Sequence, residues 1–387
     1  MLLGLSLANL FRNTHIAKKQ TGKSRLAQIK EIIRCRQGPG KVSAKEYFDY
    51  RLFELDPSQH HTFAGVWAKG VVYQAQDPQW CGIGNDKLLA YAFLKAFGLP
   101  IPVTKAVYES RRYYPDVALI SSVKEMEDWL RQNDNYPFFS KPTAGAFGIG
   151  SCCGVSWNEK TDAIVTVAGE EIPVKTFALD NWNKHLGGLI FQDVIEPHPA
   201  LVGLFGRRVA TARIITMAAE GETLVHRAAF RIPVGKNFTD NFNLGTGGNG
   251  FAEIDIETGK LGDMYEGLGL TLRRTQTHRD TGERITGFQL PHWKEALDTV
   301  RLGQQALFGL PILGWDIAFT VNGPVVVEFN THPGYALLQA TGQGLMDDVF
   351  QQYFPMTVSK TENDTDISTS AREAGGRARS RPRVLKA

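Results

Sequence analysis

The dipeptide Asn322-Gly323, set between Ile317 to Val321 and Val325 to Phe329, commits this stretch of chain to a β-hairpin. Both flanking runs are rich in β-branched and aromatic residues, and Asn-Gly is the strongest short-range hairpin signal. The hairpin carries Gly314-Trp315-Asp316 on one strand and Glu328-Phe329-Asn330 on the other. Side chains alternate along a strand, so Glu328 and Asn330 share a face. Whether Asp316 joins them depends on register. A two-residue turn would leave Asp316 opposite Phe329, on the wrong face. A three-residue turn, Asn322-Gly323-Pro324, pairs Asp316 with Asn330 and brings both carboxylates and the amide to one side. Pro324 has no backbone donor and suits a loop, so the three-residue turn is the expectation. Grouped in this way, Asp316, Glu328 and Asn330 form an open set of hard oxygen ligands suited to Mg²⁺, which usually keeps substrate phosphates as its other ligands. An acidic hairpin with a capping asparagine is the plain alternative.

With 387 residues, 43% of them hydrophobic, the chain can bury a substantial core in two or three domains. No apolar run reaches the roughly 18 residues needed to span a bilayer. Met1 to Phe11 has no basic residue before its apolar stretch and no cleavage site, so neither a signal peptide nor an anchor is expected. Four cysteines (Cys35, Cys81, Cys152, Cys153) lack metal-binding spacing, and adjacent Cys152-Cys153 argues against a disulfide framework. The expected location is the cytoplasm. The net charge of +3 conceals an uneven distribution. Residues 1–45 carry ten Lys or Arg against Glu31 alone, and residues 372–387 carry six against Glu373 alone. The body is left with 27 basic and 38 acidic residues. Basic ends of this kind bind nucleic acid or an anionic membrane, or are simply solvated. No nucleic-acid-reading motif accompanies them, so a nucleic-acid partner is not expected.

Three regions are expected. Residues 1–78 read as a basic, mainly helical N-terminal region, with Ser43 to Leu55 as an amphipathic segment. Residues 79–355 read as the main domain, divided at about 79–140, 141–195 and 196–355. Residues 356–387 read as a disordered basic tail. Within the main domain, Asn85 is placed to cap a helix from Asp86 to Phe97, which Gly98 and Pro100 end. Val103 to Tyr108 reads as a strand. Ser122 and Glu125 form a capping-box signature for a helix through Arg131, and Tyr136 to Lys141 is a strand. Further strands are expected over Cys152 to Trp157, Leu189 to Ile195, Val209 to Met217, Thr223 to Phe230 and around Ile254. Pro291 opens a helix to about Phe308.

The strand ending at Lys141 feeds Pro142-Thr143-Ala144-Gly145-Ala146-Phe147-Gly148-Ile149-Gly150. Glycines let backbone N–H groups converge on phosphate oxygens, and a lysine at the strand end adds a point charge. The loop lacks the Gly-Lys-Ser/Thr ending of a Walker loop and the helix of a dinucleotide fold. A glycine-rich hairpin loop is the alternative. His60-His61 lacks spaced metal partners and reads as incidental. Cys152 and Cys153 read as small packing residues, and Trp315 reads as core.

Taken together, the Lys141 loop, the strand end Gln192-Asp193-Val194-Ile195 and the acidic hairpin occur in an order that resembles the ATP-grasp superfamily. Asp86-Lys87 matches the family's early Asp-Lys pair. Lys141 with Gly145, Gly148 and Gly150 matches the phosphate loop, Gln192 to Ile195 the adenine linker, and Asp316, Glu328 and Asn330 the metal ligands. The resemblance covers roughly residues 80–345. Within the superfamily the chain most resembles the sugar-transfer-associated proteins of exopolysaccharide gene clusters. The segments that suggest this are Thr211 to Thr216, Asp240-Asn241 with the glycines after it, Thr281-Gly282 through Pro291-His292-Trp293, and Gly314 to Ala318. The resemblance implies an α+β chain with an ATP-grasp fold, nucleotide held between two α+β subdomains, and a helical region preceding them. ATP and Mg²⁺ are the implied cofactors. Lys87 and Lys141 would meet phosphates, Gln192, Asp193, Val194 and Ile195 the adenine, and Glu196 or His198 the ribose. D-alanine ligases of the superfamily carry an arginine two residues before the first metal acid, where this chain has Gly314. Arg213 and Arg231 are therefore the candidates for stabilising an oxyanion. Asp240, Asn241, Gly247, Gly248 and His332 are candidates for contacting substrate.

Three functions compete. The first is an ATP-dependent ligase that activates a carboxylate as an acyl-phosphate for attack by an amine, releasing ADP and phosphate, in polysaccharide or peptide-conjugate synthesis. Its partners would be a small-molecule or glycan-linked carboxylate and an amine acceptor. The second is a kinase acting on a sugar or alcohol. The third is a nucleotide-binding scaffold of glycan-synthesis machinery, against which the intact metal set argues.

Overall fold

A computed structural model describes residues 5–66, 75–108, 114, 117–145, 148, 150–182, 184, 187–219, 221–237 and 239–354. The expected tail over 356–387 lies outside the described residues. The chain opens with helices α1 (Leu7–Thr21), α2 (Arg25–Gln37) and α3 (Ala44–Asp49) and two 3₁₀ segments, Leu52–Glu54 and Pro57–Thr62. Ser6, Ser24 and Ser43 cap the three helices, and Ser43 with Glu46 completes a capping box. Tyr47, Phe48, Phe53 and Phe63 form a separate small core here. This region docks onto the body through polar contacts. The Gln339 side-chain amide accepts from Ala64 N at 2.8 Å and donates to Ala64 O at 2.9 Å, and Arg51 donates to Gly269 O at 2.6 Å.

Helix α4 (Pro78–Asn85) runs directly into α5 (Lys87–Ala96). The cap of α5 is Asp86, whose carboxylate accepts from Leu88 N and Leu89 N, and not Asn85, which instead ends α4. The body contains two seven-stranded sheets. The first holds β1 (Thr104–Tyr108), β2 (Ala118–Ile120), β3 (Phe138–Pro142), β4 (Cys152–Asn158), β5 (Ala163–Thr166), β6 (Glu171–Pro173) and β7 (Leu189–Gln192), in the order β2-β1-β7-β3-β4-β5-β6. Helices α6 (Val123–Leu130) and α7 (Val174–Asn181) cover one face of it, burying Phe138, Phe177, Leu189 and Phe191. The division expected at 140/141 falls inside β3, and strands on both sides of it share this sheet. β5, β6 and α7 were not foreseen.

After α8 (Pro199–Phe205) the second sheet follows: β8 (Thr211–Ala219), β9 (Glu222–Ile232), β10 (Gly250–Ile254), β11 (Leu261–Glu266), β12 (Arg273–Thr275), β13 (Ile312–Thr320) and β14 (Gly323–Asn330). Their order is β12-β11-β10-β9-β8-β13-β14. Helix α9 (Trp293–Ala306) packs on one face with Ile214, Phe230, Trp315, Ile317 and Phe329. Helices α10 (Ala336–Gln339) and α11 (Asp348–Tyr353) pack on part of the other.

The acidic hairpin corrects the expectation about its turn. Thr320 pairs with Gly323, so the turn is the two residues Val321 and Asn322. The register then slips between Ile317↔Val326 and Asp316↔Glu328, leaving Val327 as a β-bulge. Val326 and Phe329 both pack in the α9 core, an odd separation that a regular strand forbids. The bulge therefore turns Glu328 and Asn330 to the opposite face, directly across from Asp316.

Trp315 is fully buried and donates from Nε1 to Thr216 Oγ1 at 2.8 Å; that hydroxyl donates to Gln304 Oε1 at 2.5 Å, and Gln304 donates to Leu310 O at 2.7 Å. Thr216→Val would leave two buried polar atoms unpaired. It should lower unfolding free energy by about 2–5 kcal/mol, read from urea denaturation, whereas Thr216→Ser should lose on the order of 1 kcal/mol.

Candidate functional site

The uncovered faces of the two sheets meet across a cleft of about 510 Å³, a size suited to a small-molecule or nucleotide ligand. One wall belongs to the first sheet. Because Phe138 and Phe191 point into the core, alternation turns Phe139, Lys141, Cys153 and Gln192 toward the cleft. The other wall belongs to the second sheet. There Ala212, Ile214, Phe230 and Trp315 face α9, so Thr211, Arg213, Arg231 and Asp316 face the cleft, joined by Glu328 and Asn330 beyond the bulge.

Lys141 is 7% exposed and its Nζ donates to the Tyr91 hydroxyl at 2.8 Å and to Val327 O at 3.4 Å. Both partners are neutral. Burial pulls its pKa from the ordinary 10.5 down to about 8, against the upward pull of Glu328 and Asp316. A phosphate oxygen is the type of partner such a lysine lacks. Lys87 donates to Gly145 O at 2.9 Å and lies 3.7 Å from Glu328, which ties the glycine loop to the acidic hairpin. Lys87 and Tyr91 stand four residues apart on α5 and share its cleft-facing side.

Asp316 is 4% exposed and enclosed by arginines from neighbouring strands. Arg213 Nε meets Oδ1 at 2.5 Å and its Nη2 meets Oδ2 at 3.1 Å, while Arg231 Nη2 meets Oδ2 at 3.1 Å. Burial alone would raise the Asp316 pKa, but the two guanidinium groups outweigh it and hold the carboxyl below the usual range. Arg231 also lies 3.3 Å from Asp240, which accepts from Thr211 N at 2.8 Å and Thr211 Oγ1 at 2.5 Å. Burial raises the Asp240 pKa despite that arginine. Gly314 explains where Arg213 lies. A Cβ on Gly314 would come within 2.6 Å of Pro333 Cβ and 3.6 Å of Arg213 Cδ, so Arg213 fills the space beside a position where only glycine fits.

The donor set suits a hard cation. Among the described residues Glu328 has only the distant Lys87 as an ion partner, and Asn330 makes one long contact, Nδ2 to Gly314 O at 3.5 Å. Asp316 shares both oxygens with arginines, so Glu328 and Asn330 are the donors open to the cleft. Among the described residues no group of three His, Cys, Asp or Glu side chains is arranged to hold a metal, so an amide or ligand oxygen must complete any such site.

The cleft also brings together Gly145, Gly148, Asp193, Val194, Ile195, Asn241 and His332 with the residues above. Gly148, at φ +69°, takes a conformation that favours glycine and approaches the Asn241 side chain. Ala146, Phe147 and Ile149 lie outside the described residues. Gly150, Gly247 and Gly248 do not line the cleft. Gly247 O accepts from Asn237 and the turn it belongs to serves Asn249, whose amide bonds Val234 N, Thr239 O and Asn241 O; its role is to shape the loop. Glu196 and His198 are also outside the cleft lining, and His198 caps α8 by accepting from Ala200 N. Of the two adjacent cysteines, Cys152 packs in the core while Cys153 reaches the cleft, where burial pushes its thiol pKa up. His60 is buried against Cys35 and Leu52 O. Tyr91, Thr211 and Val327 were missed. Tyr91 had a signal in its spacing from Lys87; the other two had none.

A family model described as sugar-transfer associated ATP-grasp matches residues 74–352. Comparison with curated proteins yields no match. Similar solved structures include an N5-carboxyaminoimidazole ribonucleotide synthetase in complex with ADP (14% identity, 75% of this chain and 53% of that one, TM-score 0.38). An L-amino acid ligase from Bacillus licheniformis matches at 13% identity over 70% of this chain and 48% of that one, with a TM-score of 0.36. A D-Ala:D-Ser ligase from Enterococcus faecalis matches at 15% identity over 72% and 64%, with a TM-score of 0.41. The chain spans about half the length of the first two.

The buried lysine makes a prediction about pH. The unfolded chain keeps the Lys141 proton up to about pH 10.5 and the folded chain only up to about 8. Between those values the unfolded state binds more protons, so this residue makes stability rise with pH. Lys141→Met removes the cost of the buried charge. The variant should be the more stable below pH 8, by no more than ~3 kcal/mol, and that advantage should fade toward pH 10 in denaturant unfolding.

Proposed function

The chain belongs to the sugar-transfer associated ATP-grasp family, and on that premise we propose that it is an ATP- and Mg²⁺-dependent ligase joining a carboxylate to an amine. The observation that carries this reading is the opposition of two charged walls across one cleft. Lys141 and Lys87 stand on the loop side, and Glu328, Asn330, Asp316 and two arginines stand on the other. Lys141 and Lys87 offset charge on the nucleotide phosphates. The segment from Gln192 to Ile195 receives the adenine edge, with Asp193 steadied by Lys105 at 3.2 Å. Glu328 and Asn330, with Asp316, would hold Mg²⁺, which when bound neutralises charge developing on the transferred phosphoryl group.

A carboxylate is a poor electrophile and needs activation. One of its oxygens attacks the γ-phosphorus, the bond to the β-phosphate oxygen breaks, and ADP leaves. The amine then adds to the acyl-phosphate carbonyl, and phosphate departs with the original carboxylate oxygen. Arg213 is the better placed of the two arginines to hold the carboxylate and the tetrahedral oxyanion. Among the described residues it pairs with Asp316 alone, whereas Arg231 is also committed to Thr211 and Asp240. Arg231 therefore acts as a positioning residue. Asn241 and His332 border the space left for the acceptor.

The test is a screen for ADP release with carboxylates paired with amino acids, amino sugars or hydroxylamine. Release should require a carboxylate, and hydroxylamine should yield a hydroxamate. AMP as product, or ADP with a stable sugar phosphate and no hydroxamate, would overturn the reading. Lys141→Ala should weaken nucleotide binding on the order of 10–100-fold, the worth of a charge-assisted contact. Glu328→Gln should reduce kcat on the order of 100-fold with a smaller effect on nucleotide affinity. Calorimetry and single-turnover kinetics separate the two effects.

A further inference from the structure

Helices α1 and α2 precede the family match and take no part in the cleft. Their inward sides are spent on the small N-terminal core, through Ala17, Ile32 and Cys35. Their outward sides carry large apolar side chains that no described residue covers. Leu7 is 74% exposed, Phe11 60%, Leu26 73% and Ile33 44%. On α1, Leu7, Phe11, His15 and Lys18 follow one another at helical spacing, and on α2 Leu26, Lys30 and Ile33 do the same. Arg25 meets His15 Nδ1 at 2.8 Å and joins the two outward sides into one surface.

Charge separates this surface from an ordinary solvated face. Arg12, Lys18, Lys19, Arg25, Lys30 and Arg34 are all exposed. The single acid of the two helices, Glu31, is buried, 3.0 Å from Lys23 and accepting from the Tyr47 hydroxyl at 2.5 Å. The described surface of the pair therefore presents cations and large apolar groups with no carboxylate among them. A polyanion such as nucleic acid would engage the bases but leave the leucines, Ile33 and Phe11 in water. An anionic lipid surface engages both, with phosphates meeting the bases and the headgroup boundary receiving the apolar side chains. We propose that the α1–α2 hairpin seats the protein on an anionic bilayer surface. The contacts of Gln339 with Ala64 and of Arg51 with Gly269 fix this hairpin region to the body, so docking would also orient the cleft relative to the membrane. This inference stands independently of the ligase reading.

The experiment is co-sedimentation of the full chain with phosphatidylcholine vesicles, with and without phosphatidylglycerol. Binding should require the anionic lipid and fall steeply with added salt. The double variant Lys30→Gln/Arg34→Gln should weaken partitioning by on the order of five-fold per charge, and Phe11→Ser/Leu26→Ser should weaken it comparably. All four positions are exposed, and an unchanged thermal unfolding curve verifies that each variant is folded. Equal binding to neutral vesicles, or none to anionic ones, would overturn the proposal. So would loss with the charge variant alone, which would mean that the apolar side chains do not enter the headgroup boundary. Light scattering gives one more contrary result: a wild-type dimer that the Phe11/Leu26 variant dissolves would assign the surface to a second copy.

Discussion

Asp316 is a carboxylate almost out of contact with water, and it remains ionised there because Arg213 of the adjoining β8 and Arg231 of β9 beyond it close on it. Removing a partner from such a group leaves an uncompensated buried charge, a far larger loss than breaking a surface pair. The second sheet is arranged around this cluster. Antiparallel pairing sets Asp316 opposite Arg213 in β8 and Thr211 opposite Arg231 in β9, so the charges gather on the face that α9 leaves free. The Val327 bulge then allows β14 to contribute Phe329 to the core and Glu328 to the cleft within two consecutive residues. Without it, Glu328 would point into an aromatic core, where a carboxylate is not tolerated.

Much of this was legible in the sequence because the signals were local. Asn322-Gly323 announced the hairpin, the run up to Lys141 announced β3, and the order of the segments announced the family. The grouping of Asp316, Glu328 and Asn330 on one face was also reached, although by the wrong device. An odd loop and a bulge both insert one residue, and from the sequence the loop was the simpler choice. What chose the bulge is tertiary: Val326 and Phe329 must both reach α9. The same limit explains Tyr91, whose hydroxyl reaches Val327 O 236 residues away, and Thr211, whose partners Arg231 and Asp240 come from the next strand and the loop beyond it. Gly247 and Gly248 stand outside the cleft lining, which the sequence does not reveal, since a glycine run suggests a binding loop whether or not it faces the cleft.

The N-terminal region adds a second physical theme. Its core is small, and its helices spend their best apolar side chains on the outside, where a soluble helix pair would present carboxylates as well as bases. The cleft lies elsewhere, so the proposed catalysis and the proposed docking fall on separate surfaces, joined by the contacts of Gln339 with Ala64 and of Arg51 with Gly269.

The central claim is that a carboxylate oxygen attacks the γ-phosphate across this cleft. It is tested most directly by labelling both oxygens of a carboxylate that supports ADP release with ¹⁸O and analysing the released phosphate by mass spectrometry. An acyl-phosphate route predicts that each phosphate carries one ¹⁸O atom, left behind when the amine takes the carbonyl. Unlabelled phosphate would contradict the account, because it would mean that water had received the phosphoryl group.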